Sequence, residues 1–155
     1  MRQHDEARRK LVVEWLRRAS EDLDAAEHLL SEAETQASVT EDIPVPEHPP
    51  LAAPRYANTV AFHCQQAAEK YLKALLTWHA VEFPKTHDLD QLLDLAQTID
   101  KRLADSLRDV IVLTPYGVEL RYPGDRPDAT LEQAREAVRL AREVRTAIRG
   151  AVQMN

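Results

Sequence analysis

From about Glu6 to Ala33 the apolar residues Leu11, Val12, Trp15, Leu16, Ala19, Leu23, Ala26 and Leu30 recur at steps of three and four, which draws one stripe along a helix. At ~1.5 Å per residue this helix is about 40 Å long, too long to bury its stripe alone, so it requires partners of similar length. A second stripe, Val60, Cys64, Ala67, Ala68, Tyr71, Leu72 and Leu75, predicts a helix from about Arg55 to Ala80, with no Pro or Gly before Pro84. Thr86 or Asp88 can accept a hydrogen bond from a free amide and open a third helix, Leu89 to about Gln97. A fourth, about Lys101 to Leu113, turns Leu103, Leu107, Val110 and Ile111 inward and is expected to stop before Pro115, because a residue preceding proline is pushed out of helix. Asp128 or Thr130 can cap a fifth, whose Ala134, Ala137, Val138, Ala141, Val144 and Ile148 form a single stripe before Gly150.

The segments between these stripes have no such period. Residues 34–54 hold prolines at 44, 46, 49, 50 and 54, four acids and neither Lys nor Arg, and read as a Pro-rich acidic loop that is either a surface excursion or a lid or partner contact. Thr114 to Arg126 reads as a polar and aromatic connector. The pattern therefore predicts an all-α bundle of about five helices in a single domain spanning residues 1–155.

Composition supports this. The 155 residues are 44% hydrophobic but only 5% aromatic, with three glycines, a profile rich in helix formers and poor in strand formers. No apolar run reaches membrane-spanning length and the first residues are charged, so neither secretion nor membrane insertion is expected. Cys64 stands alone, which rules out an internal disulfide and fits a reducing cytoplasm. The net charge of −6 offers no global field to gather polyanions. Five arginines (135, 139, 142, 145, 149) crowd the last helix, either as a local patch or as surface ion pairs such as Glu132 with Arg135 and Arg139 with Glu143.

Candidate chemistry is narrow. Glycines 117, 124 and 150 lie too far apart for a phosphate loop, and no His-Glu-x-x-His pattern supports a catalytic metal. Cys64, on an apolar face, reads as a buried thiol. Three stretches carry more. In Phe62–Leu76, the residues His63, Gln66, Lys70 and Lys73 form a polar row beside the apolar one, or else a solvated face with a Glu69–Lys73 pair. In Lys85–Leu89, the amides opening the third helix can hold an anion and keep a nearby His neutral, although helix capping alone also accounts for the segment. In Tyr116–Asp125, two tyrosines flank Arg121, suiting either a turn with aromatic anchors or recognition of a phosphate and a stacked base.

These stretches, together with Trp15-Leu16-x-x-Ala19-x-x-Asp22-Leu23-x-x-Ala26, resemble a prokaryotic HEPN domain over most of the chain. The specificity lies in Gln65-Gln66-Ala67-Ala68-Glu69-Lys70 followed by Thr86-His87-Asp88-Leu89, and Arg121-Tyr122-Pro123 completes the resemblance. The resemblance implies an up-and-down helical bundle related to the C-terminal domain of kanamycin nucleotidyltransferase, usually a homodimer. It also implies a minimal nucleotidyltransferase as partner in toxin–antitoxin-like pairs. HEPN ribonucleases carry Arg, four to six residues, then His, and no histidine here has an arginine at that distance upstream; Arg55 and His63 are separated by seven residues. The chain thus resembles the branch without that motif, described as nucleotide-binding or partner-binding. Expected ligand contacts are His87, Arg121 and Tyr122, supported by Lys70 and Lys73, with Gln66 and His63 of the same polar row. No catalytic residue, metal or cofactor is expected. The alternatives are a metal-independent ribonuclease toxin, using His87 and Arg121 assembled in space, and a purely structural dimerisation module.

Overall fold

The first stripe forms helix α1, Arg2–Glu41, in the computed structural model, which describes residues 2–41, 55–118 and 127–153. Val12, Ala19, Ala26 and Ala33 are buried at strict seven-residue spacing, with Leu23 buried and Leu16 and Leu30 packed beside them. This is the repeat that keeps one seam of a helix against its neighbour. Leu11, expected on the stripe, lies one position off this seam and is 49% exposed. The helix also continues through residues 34–41, where a loop is expected. No proline intervenes before Pro44, and Thr35 and Ser38 donate their hydroxyls to the carbonyls of Ser31 and Glu34, one turn back, at 2.9 and 3.0 Å. The rest of the Pro-rich stretch, 42–54, lies outside the described residues.

Helix α2, Ala57–Trp78, is the hub of the fold. It packs along both α1 and α6 (Leu131–Ala151), while the short helices cover its remaining flank. Five of its buried residues are alanines, Ala57, Ala61, Ala67, Ala68 and Ala74, so neighbouring backbones can come close there. The end of α2 is set by Ala80 in the left-handed region at φ 55, where the amide of Val81 reaches back to the carbonyl of Leu76 at 2.9 Å. Helix α3, Leu89–Ala96, is capped by Asp88, which accepts from the amide of Asp90 at 3.0 Å. Helix α6 is capped by Thr130 in a reciprocal capping box with Gln133.

Between α3 and α6 the expected fourth helix is divided. Helix α4, Lys101–Ser106, gives way to a 3₁₀ segment, Arg108–Leu113, and then to α5, Thr114–Val118. Pro115 does not end the helical path as expected, because it sits in the first turn of α5, where its missing amide hydrogen is not needed. Leu107, Val110 and Leu113 are buried, with Leu103 and Ile111 packed partly against the core.

Cross-helix contacts fix the directions. Trp15 meets Lys73 and Arg9 meets Trp78, so α1 and α2 are antiparallel. Glu34 pairs with Arg135 and Glu27 with Arg142, so α1 and α6 are antiparallel as well. The short helices α3 to α5 carry the chain back between α2 and α6. Asn58 locks the two N-termini together by accepting from the Ala129 amide at 2.7 Å and donating to Asp128 at 2.6 Å. All six helices among the described residues close around one apolar core, and none is long and apolar enough to cross a membrane.

Gly117 marks the tightest approach. A Cβ placed there would lie 2.5 Å from the side-chain carbon and 2.6 Å from the oxygen of Gln65, itself fully buried. Gly117→Ala is therefore expected to destabilise the fold by about 1–3 kcal/mol through overpacking. Gly150→Ala, with nothing within 4 Å in α6, should stabilise by about 0.5–1 kcal/mol. Urea unfolding of both variants checks the contrast.

Candidate functional site

Because α2 is covered on most sides, the polar side chains on it must find partners inside the protein. They do so around two carboxylates. On the α1 side, Asp22 accepts from the ammonium of Lys70 and lies 2.9 Å from Nδ1 of His63. On the α3 side, Glu69 accepts from Lys73 Nζ at 2.6 Å through one oxygen. Its other oxygen lies 3.0 Å from His87 Nδ1 and accepts from Gln65 Nε2 at 3.1 Å. Each carboxylate thus holds one lysine and one histidine. Burial alone would raise both carboxyls, but the bonds from His63 and Lys70 to Asp22, and from Lys73, His87 and Gln65 to Glu69, outweigh it and hold both below the usual carboxylate range.

The Glu69 cluster extends into the backbone that precedes α3. Gln65 Nε2 also donates to the carbonyl of His87 at 3.1 Å, and Lys73 Nζ to the carbonyl of Thr86 at 3.1 Å. Gln66 donates to Gln65 Oε1 at 2.8 Å. The Lys73 ammonium lies 5.7 Å from the Trp15 ring and 5.8 Å from that of Phe83, so its exposed quadrants meet aromatic faces. Gln65, Glu69 and Lys73 are all buried, whereas the His87 side chain is 55% exposed.

That ring forms part of the wall of an open groove of about 650 Å³, lined also by Lys85, Asp88, Thr114 and Val118. The amide of Leu89, free at the start of α3, is taken by the Thr114 hydroxyl at 3.2 Å. Asp90, on the same side, is held by Arg108 at 2.5 Å. Among the described residues that line the groove, Lys85 is the one lysine or arginine.

The structure thus separates residues that the sequence places in one row. His63 and Lys70 lie at the α1–α2 seam with Asp22. Lys73 is interior, and the Glu69–Lys73 pair belongs to the core instead of a solvated face. Gln66 braces Gln65, and His87 alone of the described candidates opens onto the groove. Arg121 and Tyr122 lie outside the described residues. The organising roles of Glu69, Gln65 and Asp22 are absent from the sequence reading. A signal exists for the first two, since both interrupt the broad apolar face of α2 next to Ala67 and Ala68, while Asp22 meets partners 41 and 48 positions away.

Four of the five arginines of α6 are tied into ion pairs, and Arg149 donates to the Ser20 hydroxyl. Arg139 bonds Glu136 and Glu143, Arg135 reaches Glu34 instead of Glu132, and Arg142 reaches Glu27. Cys64 is fully buried, and burial, with Glu27 adding to it, pushes its thiol up to about 12. Among the described residues no group of three or more His, Cys, Asp or Glu is placed to hold a metal ion.

A family model described as HEPN domain matches residues 53–151, which takes in α2 through α6 and every member of the Glu69 cluster. No curated protein and no solved structure matches the chain.

Removing one partner of the buried pair leaves the other charge uncompensated, so Lys73→Met and Glu69→Gln are each expected to cost about 3–5 kcal/mol at neutral pH. Glu69 has a depressed folded-state pKa, so its contribution is present above the ordinary carboxylate range and is lost as pH falls through and below it. The stability gap between wild type and Glu69→Gln, read by urea unfolding across pH, should therefore be widest at neutral pH and shrink on acidification.

Proposed function

The chain belongs to the HEPN domain family, and from that premise we propose that it is a nucleotide-binding and partner-binding module, not a self-sufficient enzyme. It works as a homodimer alongside a minimal nucleotidyltransferase in a toxin–antitoxin-like pair. The observation that carries the ligand half of this reading is His87: a half-exposed imidazole, fixed from behind by a buried carboxylate, on the wall of a groove that Lys85 also lines. Such a ring keeps its place when a ligand arrives, which limits the ordering cost of binding. Arg121 and Tyr122 are carried as further contacts on the strength of the sequence. Lys70 and Lys73 act on the ligand through the frame they hold together, since their ammonium groups are already engaged by Asp22 and Glu69.

One observation favours a second reading, a metal-independent ribonuclease. The Glu69–His87 pair is the arrangement that orients a general base. Against it, the described lining of the groove includes no arginine to stabilise charge on a phosphorane.

Calorimetry with AMP and GMP is expected to give micromolar or weaker binding, because no phosphate loop is present. His87→Ala should weaken it by about fivefold or more, and Arg121→Ala should weaken it as well. Single-stranded RNA incubated in EDTA should remain uncut. Cleavage that persists in EDTA and falls by about a hundredfold or more in His87→Ala would establish the ribonuclease reading instead. Light scattering at high micromolar concentration should report a dimer.

A further inference from the structure

The side of His87 turned away from solvent is over-determined. Its carbonyl accepts from Gln65, the preceding carbonyl accepts from Lys73, and its Nδ1 lies against Glu69. Gln65, Glu69 and Lys73 follow one another at successive turns of α2, so a single rigid ridge holds both the backbone and the ring. We infer that Glu69 is a positioning residue that locks His87 in the Nδ1–H tautomer, so that the outward Nε2 is a lone-pair acceptor and the groove selects ligands that offer it a hydroxyl hydrogen.

Hydrogen accounting at Glu69 fixes the tautomer. An ionised carboxylate has acceptors only, so the hydrogen between Glu69 and His87 must sit on the ring nitrogen. Gln65 donates from the same nitrogen to Glu69 and to the His87 carbonyl, and neither bond can reverse. In the neutral ring, Nε2 then has no hydrogen to give. A phosphate oxygen or a carboxylate cannot bond to such an atom, whereas a sugar hydroxyl can. Lys85, on the wall of the same groove, provides the cation that a phosphate on that sugar requires. The ligand class is therefore a phosphorylated sugar or nucleotide with a free ribose hydroxyl, held by its hydroxyl at His87 and by its phosphate at Lys85. The ligand half rests on the reading of this groove as the nucleotide face; the tautomer does not.

The test begins with the full chain, ¹⁵N-labelled, in long-range ¹H–¹⁵N spectra at pH 8, with the His87 signals assigned by their loss in His87→Gln. The expected result is a protonated Nδ1 and an unprotonated Nε2; the opposite tautomer overturns the inference without any variant having to fold. Glu69→Gln must keep its carbonyl toward Lys73 and so turns its amide hydrogens toward His87, which should invert the tautomer. Binding of AMP is then compared with that of 2′,3′-dideoxy-AMP, expected to be about five- to tenfold weaker, the worth of one hydrogen bond. Equal affinities overturn the hydroxyl selection alone. An Nδ1–H ring with no binding of either nucleotide sustains the positioning role and overturns the nucleotide reading of the groove.

Discussion

A single carboxylate, that of Glu69, sets the terms for half of this structure. It is 4% exposed in the middle of the most enclosed helix, and an ion placed there without partners would cost far more than the fold can supply. Its partners are consequently obligatory. Lys73 brings the charge, Gln65 and His87 fill the remaining lone pairs, and the two carbonyls of Thr86 and His87 absorb the hydrogens left over. Satisfying one charge in this way staples the segment before α3 onto α2. Trp15 and Phe83 close over the Lys73 ammonium, and Gly117 lies where any Cβ would strike Gln65, so α1 and α5 are shaped by the same requirement.

Asp22 repeats the device at the other seam. It ties α1 to α2 through Lys70 and His63, and the Tyr71 hydroxyl meets Ser20 nearby at 3.0 Å, with Arg149 of α6 donating to the same serine at 2.9 Å. The difference between the two clusters lies in access. The His63 side chain is 28% exposed and the His87 side chain 55%, so the first acts as a strut between helices and the second remains available to a ligand. Polar groups of one kind on one helix thus serve two ends, and their surroundings decide which.

The same logic accounts for the quiet surface of α6. A helix with five arginines invites a nucleic-acid reading, but guanidinium groups engaged by Glu27, Glu34, Glu136 and Glu143 offer little to a phosphate. The groove that His87 and Lys85 line lies instead where the backbone changes direction, at the junction of α2 and α3, beside the buried cluster.

The sequence by itself determined the helices and their faces. Every residue of the stripes read for α2 and α6 is buried, because that spacing must match the helical turn wherever a core forms, although α2 also buries Ala57, Ala61, Gln65, Glu69, Lys73, Ala74, Leu76 and Thr77 beyond its stripe. It also marked Asp88 and Thr130 as possible caps, since capping depends on residues within one turn. Two local features were hidden from it: residues 34–41 remain helical, with no proline before Pro44 to stop them, and Pro115 sits in a first turn that tolerates it. The site was a different matter. His87 stood out as a histidine at a helix start, but that Lys73 and Glu69 are interior, that His63 and Lys70 belong to Asp22, and that Gln65 is the brace behind His87 are consequences of which helices meet. Periodicity tells which side of a helix is buried; it carries no record of what that side is buried against, and only the tertiary structure, by bringing residues 41 or 48 positions apart into contact, decides which charges share a partner.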